Sequence, residues 1–280
     1  MTKDKSDKLV RTLKMHNNYD VLPFRTMTKL ERDLTLGILS RLSHTEPVKS
    51  ETMTTLATTI TYEQVRLELN LPDTYRNAEL RQLVKRTVLK VKPFIIGDNI
   101  LTLFAGVKLK DTELFVILNP LCLQLFSDFR ANFSQYELPK LYSLKSRYAV
   151  ALYMLLWEFR STGWRQLSID ELRQKLEVPD SYLFRDIVAK VLKPAIKELE
   201  SKGILTFYRT KGKVYEPIKN EANGRSHTVA IRLRFKKDYK AFIEANRNKR
   251  DTKAINKTAK IVDDFFDQFP EDNTTETKDS

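Results

Sequence analysis

Cysteine is almost missing from this 280-residue chain, with Cys122 standing alone. A disulfide framework needs pairs and a thiolate zinc site needs several cysteines at set spacings, so neither is expected, and a reducing, intracellular setting fits best. Glycine is also scarce. The seven glycines (Gly37, Gly97, Gly106, Gly163, Gly203, Gly212 and Gly224) form neither a GxxxxGK(S/T) nor a GxGxxG arrangement. Without that device backbone N–H groups cannot close on a phosphate, which argues against an ATPase or a dinucleotide enzyme. The three histidines, His16, His44 and His227, are far apart and are expected to be loop residues and not metal ligands. No run of about 18 apolar residues occurs, and the opening MTKDKSDKLVRTLK has no apolar h-region. No membrane association, no secretion, no cofactor and no metal are expected; the expected location is the cytoplasm.

Positive charge is plentiful. Lys and Arg number 49 against 36 Asp and Glu, a net +13. The last twenty residues hold seven acids against Lys278 alone, a net −6, so residues 1–260 carry +19. A body this basic is the electrostatic footprint of a nucleic-acid binder, because neutralised phosphates release counterions. The length suggests two domains, and 41% hydrophobic residues suffice for two modest cores.

Sliding the chain against itself by 107 positions exposes an internal repeat. TYEQVRLELNLPDTY (61–75) aligns with SIDELRQKLEVPDSY (168–182), with identities at Arg66/Arg173, Leu69/Leu176, Pro72/Pro179, Asp73/Asp180 and Tyr75/Tyr182. Each copy reads as a short helix, a turn and a second helix. Thr61 and Ser168 are the expected N-caps, completed as capping boxes by Gln64 and Glu171. Val65 and Leu69, or Leu172 and Leu176, face the core, and Pro72 or Pro179 ends the helix. The second helix starts near Asn77 or Phe184, with apolar stripes Leu80, Leu83, Val84, Val88 and Ile187, Val188, Val191, Leu192, Ala195, Ile196, Leu199.

Opposite those stripes lie basic and polar residues: Arg76, Asn77, Arg81, Lys85 and Arg86 in the first copy, and Arg185, Lys190, Lys193 and Lys197 in the second. This is the layout of a helix-turn-helix whose second helix enters a major groove; Ser181 and Tyr182 in the turn join the candidate DNA-binding set. Strand-like segments follow each copy: Phe94–Ile96, Ile100–Phe104 and Leu114–Leu118, then Ile204–Tyr208 and Val229–Phe235. A helix-turn-helix with a β-hairpin is a winged helix. The second wing tip is expected to contain Arg209, Lys211, Lys213, Lys219, Asn223, Gly224 and Arg225, reaching for phosphates or a minor groove. Helices over 27–42 and 145–160 complete the two cores. The expected fold is α+β, mostly helical, with two tandem winged-helix domains.

The second copy carries a family resemblance in SRYAVALYMLLWEF, LSIDELRQKLEVPDSYLFRDIVAKVLKPAIKELES and NGRSHTVAIRLRF. It resembles the replication initiator (Rep) proteins of iteron-containing, theta-replicating plasmids over about residues 25–237. The resemblance implies tandem winged helices that grip double-stranded DNA on direct repeats of an origin through successive major grooves. It also implies a dimer in equilibrium with monomer, the dimer repressing its own promoter, and monomers that help open AT-rich DNA and recruit host initiator and replicative helicase. Base contacts map to Arg185, Lys190 and Lys193. Where family members often have several arginines this chain reads Asp186-Ile187-Val188-Ala189-Lys190, which leaves the bases read open.

The expected division is a flexible arm (1–20), an N-terminal winged helix for dimerisation and phosphate contacts (21–137), a C-terminal winged helix for recognition (138–248) and a mobile acidic tail (249–280), with 134–143 as connector. IVDDFFDQFPED in the tail reads either as a docking motif for a partner protein or as an amphipathic turn packing on the body. Two rival functions are a tandem winged-helix transcriptional regulator and a rolling-circle nickase. The nickase needs a His-x-His metal pair, which three scattered histidines cannot form.

Overall fold

The computed structural model describes residues 12–17, 24, 26–49, 53–96, 99–126, 133–222 and 225–238. Among these no helix is long and apolar enough to cross a membrane. The described residues up to 159 and from 163 to 236 form one compact unit. Residues 160–162, 237 and 238 belong to a second, in which the Asp238 amide donates to the Arg160 carbonyl at 2.8 Å.

The first half contains β1 (Thr12–His16), α1 (Lys29–Leu42), β2 (Val48–Lys49), β3 (Thr54–Thr55), β4 (Ala57–Thr61), α2 (Tyr62–Glu68) and α3 (Asn77–Lys90). β5 (Phe94–Ile96), β6 (Asn99–Leu101), β7 (Phe104–Leu109), β8 (Glu113–Leu118), a 3₁₀ turn at Pro120–Leu125, β9 (Phe133–Glu137) and α4 (Leu138–Ser143) follow. The second half has α5 (Arg147–Trp157), β10 (Trp164–Ser168), α6 (Ile169–Lys175), α7 (Phe184–Asp186), a π-helical segment Ile187–Leu192, α8 (Lys193–Ser201), β11 (Glu216–Ala222) and β12 (Arg225–Arg234).

The repeat extends to the sheets. Each half has three antiparallel strands in the same order, β4-β8-β7 and β10-β12-β11, so the strand entering the helix-turn-helix pairs with the last strand of the hairpin. The entering strands, ATTIT and WRQLS, were not anticipated. In the first, β-branched residues suit a pleated surface; in the second, pairing with β12 and burial of Leu167 supply what local composition lacks.

The backbone repeats too. Asn70 and Glu177 occupy equivalent positions and both adopt the left-handed conformation, with φ of 50° and 48°. Leu71 and Val178 donate to the carbonyls of Arg66 and Arg173, each at 2.9 Å. Thr61 and Gln64 form the full capping box, with both bonds at 3.1 Å. Ser168 caps the Glu171 amide at 3.0 Å, but the Glu171 carboxylate turns to Arg165, also at 3.0 Å, so the second box stays half made.

Three further expectations are corrected. Residues 12–16, placed in the flexible arm, form β1 against β9, because alternation in TLKMH sends Leu13 and Met15 into the core. The connector 134–143 is structured: its first part lies in β9 and its second is α4. Ile204–Tyr208 is not an extended strand: it meets the sheet only at an isolated bridge, Phe207 to Phe235 just past the end of β12, where the Tyr208 amide donates to the Arg234 carbonyl at 3.0 Å and the Lys236 amide to the Thr206 carbonyl at 2.8 Å. Residues 1–11 and the tail 249–280 lie outside the described residues.

The two halves meet at residues 144–146. Arg32 on α1, almost fully buried, donates to the Leu144 carbonyl at 2.6 Å and the Lys145 carbonyl at 3.2 Å. Its charge is met by Asp33 at 3.0 Å, whose own carboxyl burial raises above the usual carboxylate range. From the opposite side Glu198 on α8 accepts the Lys145 and Ser146 amides at 2.5 and 3.1 Å. Within the first half, Glu68 accepts from Tyr142 of α4 at 3.0 Å and pairs with Arg41 at 3.2 Å. α1 needs a glycine beside it: a Cβ on Gly37 would lie 2.7 Å from Glu68 Oε1 and 2.9 Å from the Tyr142 hydroxyl.

Replacing Arg32 by Met strands two carbonyls in a buried setting and leaves Asp33 with Lys29 as its remaining cation. The expected loss of unfolding free energy is about 3–5 kcal/mol. Glu198→Ala, on a half-exposed surface, is expected to cost about 1–2 kcal/mol by the same urea titration. Equal costs would contradict this description of the junction.

Candidate nucleic-acid interface

In the second half, the turn before α7 is fixed by Arg173. Its guanidinium donates to the Pro179 carbonyl at 3.4 Å and to the Tyr182 carbonyl. Arg66 does the same work in the first half, reaching the Tyr75 carbonyl at 3.4 Å and Asn77 Oδ1 at 2.8 Å. The repeated arginine therefore sets the angle between the two helices. Ser181 is exposed at that turn and Tyr182 is half-buried against the core.

From Phe184 onward the helix buries Ile187, Val188, Val191, Leu192, Ala195, Ile196 and Leu199. These residues recur at four-residue spacing, and on a regular helix such a stripe drifts by about 40° per turn. The π-helical segment Ile187–Leu192 slows that drift by widening the turn, with the Lys193 amide donating to the Val188 carbonyl, five residues back. Pro194 contributes by lacking an N–H for the ordinary bond to residue 190. α3 is regular over its 14 residues.

On the outer face Arg185, Lys193 and Lys197 are exposed and make no hydrogen bond or ion pair among the described residues. Lys190 differs. Its ammonium pairs with Asp186 Oδ1 at 3.0 Å and lies 4.8 Å from the Tyr182 ring centroid. The other carboxylate oxygen of Asp186 accepts the Leu183 amide at 3.2 Å. The Lys190 bond, with that backbone bond beside it, holds the Asp186 carboxyl below the usual carboxylate range. Asp186 belongs to the site, and its spacing of four residues from Lys190 was the visible signal.

The expected wing tip divides into two loops. Arg209, Lys211 and Lys213 belong to a tight turn before β11, closed by reciprocal backbone bonds between Thr210 and Lys213 at 2.9 and 3.1 Å. Lys211 and Gly212 there have φ of 51° and 71°. Arg209 pairs with Glu200 of α8 at 2.9 Å. β11 and β12 pair out to Ala222 and Arg225, and Asn223 and Gly224 of the expected tip lie outside the described residues. Lys219 is exposed on β11; Arg225 opens β12, its side chain lying outside the description. Turn-forming chemistry at Lys211-Gly212, read together with the later Asn-Gly, made one loop of two.

The first half has a more occupied face. Arg81 pairs at 3.0 Å with Asp111, which sits at the tip of the β7–β8 hairpin. Asn77 accepts from Arg66 and donates to the Asp111 carbonyl at 3.0 Å. Arg86 pairs at 3.2 Å with Glu31, a buried carboxylate that also holds Lys90 at 2.8 Å. Arg76 and Lys85 are exposed, and no ion pair engages either among the described residues. The sequence could not distinguish these free and tied cations, because Asp111 and Glu31 are distant in the chain.

The comparisons with known proteins follow this division. The family described as Initiator Replication protein, WH1, matches residues 12–157, and that described as Initiator Rep protein, WH2, matches residues 168–235. A crystal structure of the Pi initiator protein in complex with iteron DNA is similar with a TM-score of 0.60 at 16% identity. The match covers 82% of this chain and 99% of that one, and bears on the fold. No curated protein matches the chain.

Arg173→Ala removes a charged donor from two carbonyls and is expected to lower stability by about 1.5–3 kcal/mol in urea. Arg173→Lys should recover only part of this, since an ammonium cannot span both acceptors as a planar fork does. Full rescue by Lys would contradict the turn-locking role.

Proposed function

The chain belongs to the initiator Rep family, and from that premise we propose that it starts plasmid replication by binding direct repeats (iterons) at an origin. The observation that carries this reading is the outer face of the second helix-turn-helix, where Arg185, Lys193 and Lys197 are exposed and make no hydrogen bond or ion pair among the described residues, Arg185 feeling only the neighbouring Asp186 charge. Exposed cations without an ion pair suit phosphate oxygens and base edges. The likeness to a protein whose structure contains iteron DNA supports the same reading.

The proposed division of labour follows the pairing. The C-terminal winged helix, over about 138–248, reads bases through Arg185 with Lys190 and Lys193, while Ser181, Tyr182 and Lys197 flank the groove. Lys211 and Lys213 in the turn before β11 and Arg225 at the start of β12 approach phosphates, joined by Arg209 once it leaves Glu200. The N-terminal winged helix, over about 21–137, contributes phosphate contacts from Arg76 and Lys85, with Asn77, Arg81 and Arg86 partly committed to internal bonds. Dimerisation with repression of its own promoter, opening of adjacent AT-rich DNA and recruitment of host initiator and replicative helicase complete the proposed role. It is a binding role with no catalytic step.

Gel-shift titration on DNA flanking the gene, at two salt concentrations and with scrambled competitor, tests it. Discrete complexes stepping up with the number of tandem repeats are expected; one complex on one inverted repeat would favour a dedicated repressor. Lys193→Ala should weaken binding to all sequences and reduce the salt slope by about one. Arg185→Ala should relax preference at one base pair, by roughly 1–3 kcal/mol.

A further inference from the structure

Asp186 is the residue on this face that phosphate binding does not explain, since a carboxylate there repels the DNA backbone. Its geometry gives it another use. Oδ1 is bonded to Lys190 and Oδ2 to the Leu183 amide, so the carboxylate is held from two sides. Lys190 is held as well, between Asp186 and the face of Tyr182. Two oxygens offer about four lone-pair positions and an ammonium three donors, so acceptor and donor capacity remain on each partner after these contacts. The result is a fixed donor beside a fixed acceptor, 3.0 Å apart, on an exposed helix face.

That spacing has a counterpart in DNA. In a G·C pair guanine O6 and cytosine N4 are hydrogen-bonded to each other, about 2.9 Å apart, and in the major groove O6 still accepts while N4 still donates. Resting on the major-groove reading above, we infer that Asp186 and Lys190 act as one unit that reads a single G·C pair. Lys190 donates to guanine O6, with N7 in reach, and Asp186 accepts from cytosine N4. Tyr182 positions Lys190. The order of donor and acceptor makes the preference directional. C·G presents only the reverse order and is rejected; T·A presents the right order through thymine O4 and adenine N6, and A·T through adenine N7 and N6 one step across the groove, each without the second acceptor that guanine offers to Lys190, and both rank between.

Selection of the full chain on a randomised duplex library, followed by affinities for the four base pairs at each selected position, tests this. Wild type should show one position ranked G·C first, T·A and A·T between, and C·G last. Asp186→Ala and Lys190→Ala should each flatten that position by about 5- to 100-fold, with the double variant no worse than either alone. Asp186→Asn keeps an acceptor for the Leu183 amide and guards against a folding defect; its melting temperature should match wild type while the ranking is lost. If these variants keep every preference, or if Asp186→Asn tightens binding to all sequences alike with a steeper salt slope, the carboxylate only repels phosphate and the inference fails while the origin-binding reading stands. If wild type itself selects no sequence, the reading of this face falls and the inference with it.

Discussion

Residues 144–146 are the point on which the geometry of both halves depends. A short stretch of backbone there is gripped by opposite charges from opposite sides, its carbonyls by Arg32 and its amides by Glu198. Charge-assisted bonds are stronger and more directional than neutral ones, and a buried charge left without its partner is costly. Arg32 comes from α1, which also packs on α3; Glu198 lies in α8, the continuation of the second helix of the C-terminal helix-turn-helix. The same few bonds therefore connect the two helices that face DNA in this account. Ser146 and Glu198 fall in segments that carried the family resemblance, and their bonds give those positions a physical reason.

The two winged helices share a backbone plan and differ in what they do with charge. In the first, the hairpin tip carries Asp111 and draws Arg81 and Asn77 inward, while buried Glu31 holds Arg86 and Lys90. In the second, Lys190 pairs with Asp186 and Arg209 with Glu200, while Arg185, Lys193 and Lys197 make no ion pair among the described residues, and the hairpin strands are longer. Electrostatic capacity for DNA is thus concentrated in one copy, although the sequence distributes arginines and lysines between both. Exposed ion pairs are worth little individually, so the tied residues of the first copy can exchange partners at modest cost.

Much of this was legible in the sequence because it is local or repeated. The P-D-(S/T)-Y turns, the N-caps at Thr61 and Ser168 and the apolar stripes each depend on neighbours within a few residues. What escaped was non-local. β1 is five residues long and becomes a strand only because β9 lies beside it, and Ile204–Tyr208 has strand composition but meets the sheet only at Phe207, past the end of β12. The π-helical segment was encoded by a four-residue apolar period and Pro194, a combination that is easily read as an ordinary helix. The repeated arginine was visible as an identity, but its role in holding the turn required coordinates.

The central claim is that both winged helices lie along one face of a repeated duplex site, oriented by the junction at 144–146. Hydroxyl-radical footprinting of the full chain on DNA flanking its gene tests this most directly. Two protected patches per repeat, about one helical turn apart on the same face, are the predicted result. Protection of a single groove per repeat, or a uniform footprint without phase, would contradict it.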